Sequence, residues 1–310
     1  MTYAVLFPGQ GSQSVGMLSG HADPIVRDTL QEASDLLGWD LLGLTQQGPV
    51  EELNRTERTQ PALLAASVAL WRLWRSRTTA VPAAMAGHSL GEYSALVAAE
   101  SLAFADALRL VELRGQLMQA AVPPGVGGMT AVVGLEDPQI EALCAQWQGP
   151  GVLEPVNYNA PGQVVVAGHV AALDWLEAQA KPAGARMCVR LSMSVPSHCS
   201  LMREAAEKLY RYMDTVSIHV PVMPVLHNLD GQPRCDAAAI RLALREQLYR
   251  PVRWTQTIQG LGGRGLRLFL ECGPGKVLAG LNKRILKEGQ VVGLELPEGL
   301  DKAIGLMTTG

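Results

Sequence analysis

The pentapeptide Gly87-His88-Ser89-Leu90-Gly91 constrains this chain more than any other feature. It matches G-x-S-x-G and lies between a short small-apolar run, Ala83-Ala84-Met85-Ala86, and a helix-forming stretch, Leu90 to Ala99, that reads as amphipathic. A serine on so tight a strand-to-helix turn needs glycines beside it, because a Cβ would clash there. The turn lifts the hydroxyl clear of the backbone at a helix N-terminus. There the free N–H of Leu90 and the positive end of the helix dipole can stabilise an oxyanion. Ser89 is therefore the candidate nucleophile; the bland alternative is a Gly-Ser turn with no chemistry.

Composition narrows the classes. With 310 residues, 48% hydrophobic and 18% charged, the chain can bury a large core in one α/β domain or two. A net charge of −3 gives no sign of a nucleic-acid or membrane partner. No run is long enough to span a bilayer, and the N-terminal segment lacks the positive flank of a signal peptide. Five scattered cysteines (Cys144, Cys188, Cys199, Cys235, Cys272) without a CxxC suit a reducing cytoplasm.

The periodicities predict a strand from Thr2 to Phe7 that runs into Pro8-Gly9-Gln10-Gly11. A dinucleotide-binding fingerprint fails here, because Ser14 stands where the third glycine belongs. Helices are expected at Pro24–Leu37, Pro61–Trp74 and Ala103–Ala121, around the Ser89 unit, which argues for a mainly parallel, doubly covered sheet. From Met129 to Leu191 the order reads βαββαβ, a ferredoxin-like unit whose middle strands join through Pro161-Gly162. The expectation is an α/β catalytic domain of residues 1–124 and 196–310 with an inserted small domain of residues 125–195. Further helices are read at Ser200–Met213 and Ala237–Tyr249, and a strand at Met223–His227. A final strand, Leu266–Leu270, leads through Gly273-Pro274-Gly275 into a last helix.

A serine nucleophile needs a base. His88 should point away from the hydroxyl, and the surroundings of His21, His169 and His219 are unremarkable. His198, in Val195-Pro196-Ser197-His198 at the return from the insert, and His227 remain as candidates. No histidine follows His227, which disfavours an ordinary hydrolase triad and favours a Ser–His dyad oriented by something other than a carboxylate. Arg114 falls on the same helical stripe as Leu110, Val111, Leu117, Met118 and Ala121. A guanidinium there pairs with a buried acid, snorkels out from the edge of the stripe, or awaits a substrate carboxylate.

Together with their surroundings, these residues resemble the malonyl-CoA:acyl-carrier-protein transacylases of bacterial fatty acid synthesis. The matching blocks are Phe7-Pro8-Gly9-Gln10-Gly11-Ser12-Gln13, Thr59-Gln60-Pro61-Ala62, the Ser89 pentapeptide with Glu92-Tyr93, Arg114-Gly115, Val156-Asn157-Tyr158-Asn159, Pro161-Gly162-Gln163, Val195-Pro196-Ser197-His198 and Gly273-Pro274-Gly275-Lys276. The resemblance implies an α/β-hydrolase-like large domain with a ferredoxin-like insert. It implies an acyl-carrying Ser89, His198 as base, Gln247 orienting His198 through a carbonyl, and oxyanion donors on Gln10 and Leu90. Arg114 would hold the malonyl carboxylate, and His88, Gln60, Asn157 and Asn159 would serve substrate binding. Cys272 replaces an expected apolar residue, and the tail after Leu296 shows no pattern.

The implied reaction is ping-pong transfer of malonyl from malonyl-CoA to the phosphopantetheine thiol of acyl carrier protein, with no metal or cofactor. Carrier proteins are acidic, so Lys181, Arg186, Arg190, Lys283, Arg284 and Lys287 are candidate docking charges. The rivals are a serine hydrolase, including a lipase that recruits Asp230, and a non-catalytic acyl-binding module.

Overall fold

The computed structural model describes residues 2–192 and 195–308. It contains two separate sheets. The first is parallel throughout, in the order β7-β2-β1-β8-β9, from β1 (Tyr3–Phe7), β2 (Ala84–Gly87), β7 (Val225–Leu226), β8 (Leu268–Glu271) and β9 (Gln290–Gly293). The second is antiparallel, in the order β4-β5-β3-β6, from β3 (Gly127–Val133), β4 (Leu153–Ala160), β5 (Gln163–His169) and β6 (Met187–Arg190).

Strand period explains why the parallel sheet is covered on both faces. Tyr3, Val5 and Phe7 of β1 join one core with the Thr56–Arg77 and Phe104–Ala120 helices. Ala4 and Leu6 join another with Trp254, Ile258 and Leu281. On β5, Val164 and Val166 pack with the Asp137–Ala145 and Val170–Ala180 helices, whereas Val165 and Ala167 face the opposite side with Met129 and Cys199.

Several expectations need correction. The helix after Ser89, Gly91–Ala98, is not amphipathic: seven of its eight residues are buried, as its position between the sheet and other helices requires. The helix expected from Pro61 begins five residues earlier at Thr56 and holds Pro61 inside it. Pro61 is the sixth residue of that helix, past the first turn where proline is readily tolerated, so it does not mark the start. The Leu268–Glu271 strand is not the last, because β9 follows; Val291 and Val292 flanked by Gly289 and Gly293 make too short a signal. The tail forms a helix, Pro297–Thr308, with only Leu300 and Ala303 buried. Helices at Leu41–Gln47, Val50–Leu53 and Trp254–Gly263 were also not expected.

Among the described residues, no helix is long and apolar enough to cross a membrane. All five cysteines are free.

Candidate active site

The carboxyl ends of the parallel strands supply the site, where ligands of open α/β sheets bind. β1 runs into Gln10, β2 into Ser89, and β7 into His227 and Asn228. The turn after β2 is tight enough that a Cβ on Gly87 would overlap the Gly91 backbone, and one on Gly91 would overlap the Phe7 carbonyl. Ser89 is held at φ +51°, a left-handed conformation that costs a non-glycine residue about 1–3 kcal/mol. Asn228 clamps this turn by accepting from the Ser89 N–H at 2.7 Å and donating to the Gly87 carbonyl at 2.6 Å.

Ser89 Oγ lies 2.7 Å from His198 Nε2, and His198 Nδ1 lies 2.7 Å from the main-chain carbonyl of Gln247. The carbonyl can only accept, so Nδ1 carries the proton and Nε2 is left free to take one from Ser89. Burial, reinforced by the Arg114 charge, lowers the His198 pKa to about 3. The imidazole is therefore neutral, as a base must be. Between an ordinary histidine value near 6.5 and about 3, the unfolded chain binds a proton at His198 that the folded chain does not. This group therefore makes the fold less stable as pH falls through that window.

The N–H groups of Gln10 and Leu90 have no acceptor among the described residues. The Ser89 N–H is already taken by Asn228, which leaves these two for a developing oxyanion.

Arg114 is 1% exposed on the Phe104–Ala120 helix, with Leu110, Val111 and Met118 buried beside it and Leu117 and Ala121 half-buried. It donates to Gln60 Oε1 at 2.8 Å, to Gln247 Oε1 at 3.1 Å and to Ser89 Oγ at 3.3 Å. Among the described residues no carboxylate lies within ion-pair distance of it, and its Nε has no partner. Burial lowers its pKa, but a guanidinium remains charged.

These groups open on a cavity of about 140 Å³, walled by both sheets. Gln10, His88, Ser89, Leu90, Arg114, Asn157, Asn159 and His198 line it. Met129, Val165 and Leu191 add an apolar wall from the antiparallel sheet, and Val277, Leu278 and Leu281 another from the Val277–Ile285 helix. Glu271 caps that helix, accepting from the Leu278 and Ala279 N–H groups at 2.9 Å each. His88 turns away from Ser89 to contact Asn159 at 2.8 Å. Gln60 lies beneath Arg114, fully buried, rather than on the cavity wall.

Elsewhere the candidates separate. His227 lies 2.7 Å from Glu92 Oε1, in a buried pair behind the nucleophile. Asp230 is tied to Arg234 at 2.7 Å, which removes it as the acid of a Ser–Asp dyad. Arg190 is not a free docking charge, because Asp174 and Glu177 hold it at 2.8 and 2.7 Å. Arg284 is exposed but donates to the Pro161 carbonyl at 3.0 Å and to Gln163. Lys181, Arg186, Lys283 and Lys287 are exposed, with no acid at ion-pair distance among the described residues. Glu92 and Asn228 were missed as site residues. The sequence offers Glu92 only as part of a matching block, on a helix read as amphipathic, and nothing in it marks Asn228.

A profile of the acyl transferase domain matches residues 4–297. This chain is a member of that family. It is similar to the malonyl CoA-acyl carrier protein transacylase of Salmonella typhimurium, with 53% identity over 304 residues covering 97% of this chain and 98% of the relative. The Escherichia coli K12 protein of the same name is 50% identical over 306 residues, covering 98% and 99%. Among solved structures, the malonyl CoA-acyl carrier protein transacylase of Coxiella burnetii superposes with a TM-score of 0.97 at 46% identity, covering 98% of this chain and 97% of that one. A malonyl-transacylase in complex with its type II PKS acyl-carrier protein also gives 0.97, at 48% identity over 99% and 100%. Membership extends over both sheets, so the family's architecture of a parallel sheet plus a separate antiparallel sheet is this chain's own.

Proposed function

We propose that the protein takes malonyl from malonyl-CoA onto Ser89 and passes it to the phosphopantetheine thiol of an acyl carrier protein, supplying extender units for fatty acid synthesis. The observation that carries this reading is the Arg114 guanidinium, buried with no acid beside it among the described residues and 3.3 Å from Ser89 Oγ. An ester on Ser89 puts the carboxylate of a three-carbon diacid two bonds beyond its carbonyl carbon, where this cation can pair with it. An acetyl group leaves the charge unmet, and that omission is costly in a dry site.

Each step uses one of the contacts above. His198 Nε2 takes the Ser89 proton as Oγ attacks the thioester carbonyl, and the Gln10 and Leu90 N–H groups hold the oxyanion. Collapse expels CoA, which leaves with the proton from His198. The carrier-protein thiol then gives its proton to His198, attacks the malonyl ester, and Ser89 Oγ recovers that proton. His88, Asn157 and Asn159 would position the acyl group and the thioester arm, with Gln60 acting through Arg114.

The same reading divides the chain into an α/β-hydrolase-like domain of residues 1–124 and 196–310 and a ferredoxin-like insert of residues 125–195. The antiparallel order β4-β5-β3-β6 supports the second label, since numbering its strands within the unit gives 2-3-1-4. The second boundary adjoins residues 193 and 194, outside the described residues. Five free thiols suit a cytoplasmic setting.

Mixing the protein with malonyl-CoA should give a single malonyl adduct on Ser89 by peptide mass spectrometry, discharged on adding holo carrier protein. An adduct at another residue, or one released only to water, would overturn the assignment.

Docking has its own test. Lys283 and Lys287 lie on and just past the helix that walls the cavity, Lys181 caps the end of the Val170–Ala180 helix, and Arg186 directly precedes the edge strand β6. Steering by such charges acts on association and weakens with salt. Charge reversal at Lys283 and Lys287 should raise the carrier-protein KM severalfold at low salt while leaving malonyl-CoA loading nearly unchanged. An unaltered KM would move the docking surface elsewhere.

A further inference from the structure

Beneath the nucleophile lies a fully buried carboxylate that no step above uses. Glu92 sits one residue past Gly91 and collects three donors. They are His227 Nδ1 at 2.7 Å, the Asn228 main-chain N–H at 2.9 Å and Gln247 Nε2 at 3.0 Å. The third contact has a chemical consequence. A primary amide has one donor end and one acceptor end, and a half-turn of the group exchanges them.

An ionised carboxylate only accepts, so Glu92 fixes Gln247 with its Nε2 inward. The same nitrogen also donates to the Ser89 carbonyl at 2.9 Å. The Oε1 end is thereby turned toward Arg114 Nη2, 3.1 Å away. Flipped, the amide would present N–H groups to a guanidinium that also only donates. Among the described residues Arg114 has no carboxylate of its own, so its orientation rests on the amide oxygens of Gln60 and Gln247, with the Ser89 hydroxyl a longer third acceptor. His198, by contrast, is anchored on the main-chain carbonyl of Gln247 and does not depend on which way the side chain faces.

We propose that Glu92 sets selectivity for the malonyl carboxylate, as a positioning residue that acts on Arg114 through the Gln247 side-chain amide. This rests on Arg114 being the carboxylate's partner.

Glu92→Gln is the test. It keeps the shape but offers one oxygen to three donors and adds an N–H₂ group of its own. Steady-state kcat/KM for malonyl-CoA and for acetyl-CoA should be compared in variants whose thermal unfolding remains cooperative. The malonyl-to-acetyl ratio should fall by at least tenfold, and Glu92→Asp, which retains an acceptor-only group, should recover part of it. Added to Arg114→Ala, the Glu92→Gln change should leave the ratio where Arg114→Ala alone puts it. An unchanged ratio in folded Glu92→Gln, no recovery in folded Glu92→Asp, or loss of the native fold in both would make Glu92 a structural residue and overturn the assignment. A ratio that collapses with Arg114→Ala but not with Glu92→Gln removes Glu92 alone. A ratio indifferent to Arg114→Ala removes Arg114 as the partner, and this inference with it.

Discussion

Ser89→Ala should abolish the covalent malonyl adduct and lower transfer by on the order of 10⁴–10⁶-fold, with the melting transition retained. The loss is large because the serine hydroxyl lies 2.7 Å from His198, the neutral, buried base that takes its proton. Alanine removes the hydroxyl but keeps the turn, whose geometry is secured by Gly87, Gly91 and the two Asn228 hydrogen bonds. His198→Ala should be damaged to a similar degree while still binding malonyl-CoA, since Arg114 and the apolar walls remain. Residues that act as one unit lose nearly everything when either is removed, so the double variant should be little worse than the single ones. Substitution of His169, whose ring is engaged by the Val152 N–H, should cost far less. A covalent malonyl adduct that persists in Ser89→Ala, or His169→Ala proving worse than His198→Ala, would reassign the nucleophile or the base.

How much of this could be read from the chain follows from the range of each signal. The strand-turn-helix around Ser89 is local, and glycines at 87 and 91 announce it because only they tolerate the backbone contacts found there. The βαββαβ order was likewise legible, since alternating β-branched runs and helical runs are well separated and Pro161-Gly162 marks the hairpin. Arg114 could be flagged because a cation on an apolar stripe violates the helical pattern, although only the structure shows that no acid among the described residues answers it. The choice between His198 and His227 was open on residues alone. Both end up fully or almost fully buried near the nucleophile, and the difference is one of direction: one imidazole faces Ser89, the other Glu92. Glu92, Asn228 and the Gln247 side chain form a network across residue separations of 19 to 155, which no short-range pattern encodes. The misplaced start at Pro61 has the same origin, because Thr59 and Gln60 are drawn into the helix by burial against distant groups, Gln60 beneath Arg114.

Arg114→Ala should invert the selectivity of the enzyme. Malonyl transfer should fall by about 2–5 kcal/mol in transition-state terms, the cost of leaving a buried carboxylate without its partner. Acetyl transfer should hold or rise, because the wild-type site leaves the guanidinium unpaired when that substrate binds. A second readout follows from charge. The Arg114 cation is, after burial, the largest influence that lowers the His198 pKa, so its removal must raise that pKa. His198 has to be neutral to accept the Ser89 proton, and a raised pKa means that it becomes protonated at a higher pH on acidification. The acid limb of acetyl transfer should therefore move to higher pH in Arg114→Ala than in the wild type. A merely structural arginine would depress both acyl groups alike and leave that limb in place. Equal losses for malonyl and acetyl, with an unmoved acid limb, would show that Arg114 supports the fold around Ser89 and that something else in the cavity meets the carboxylate.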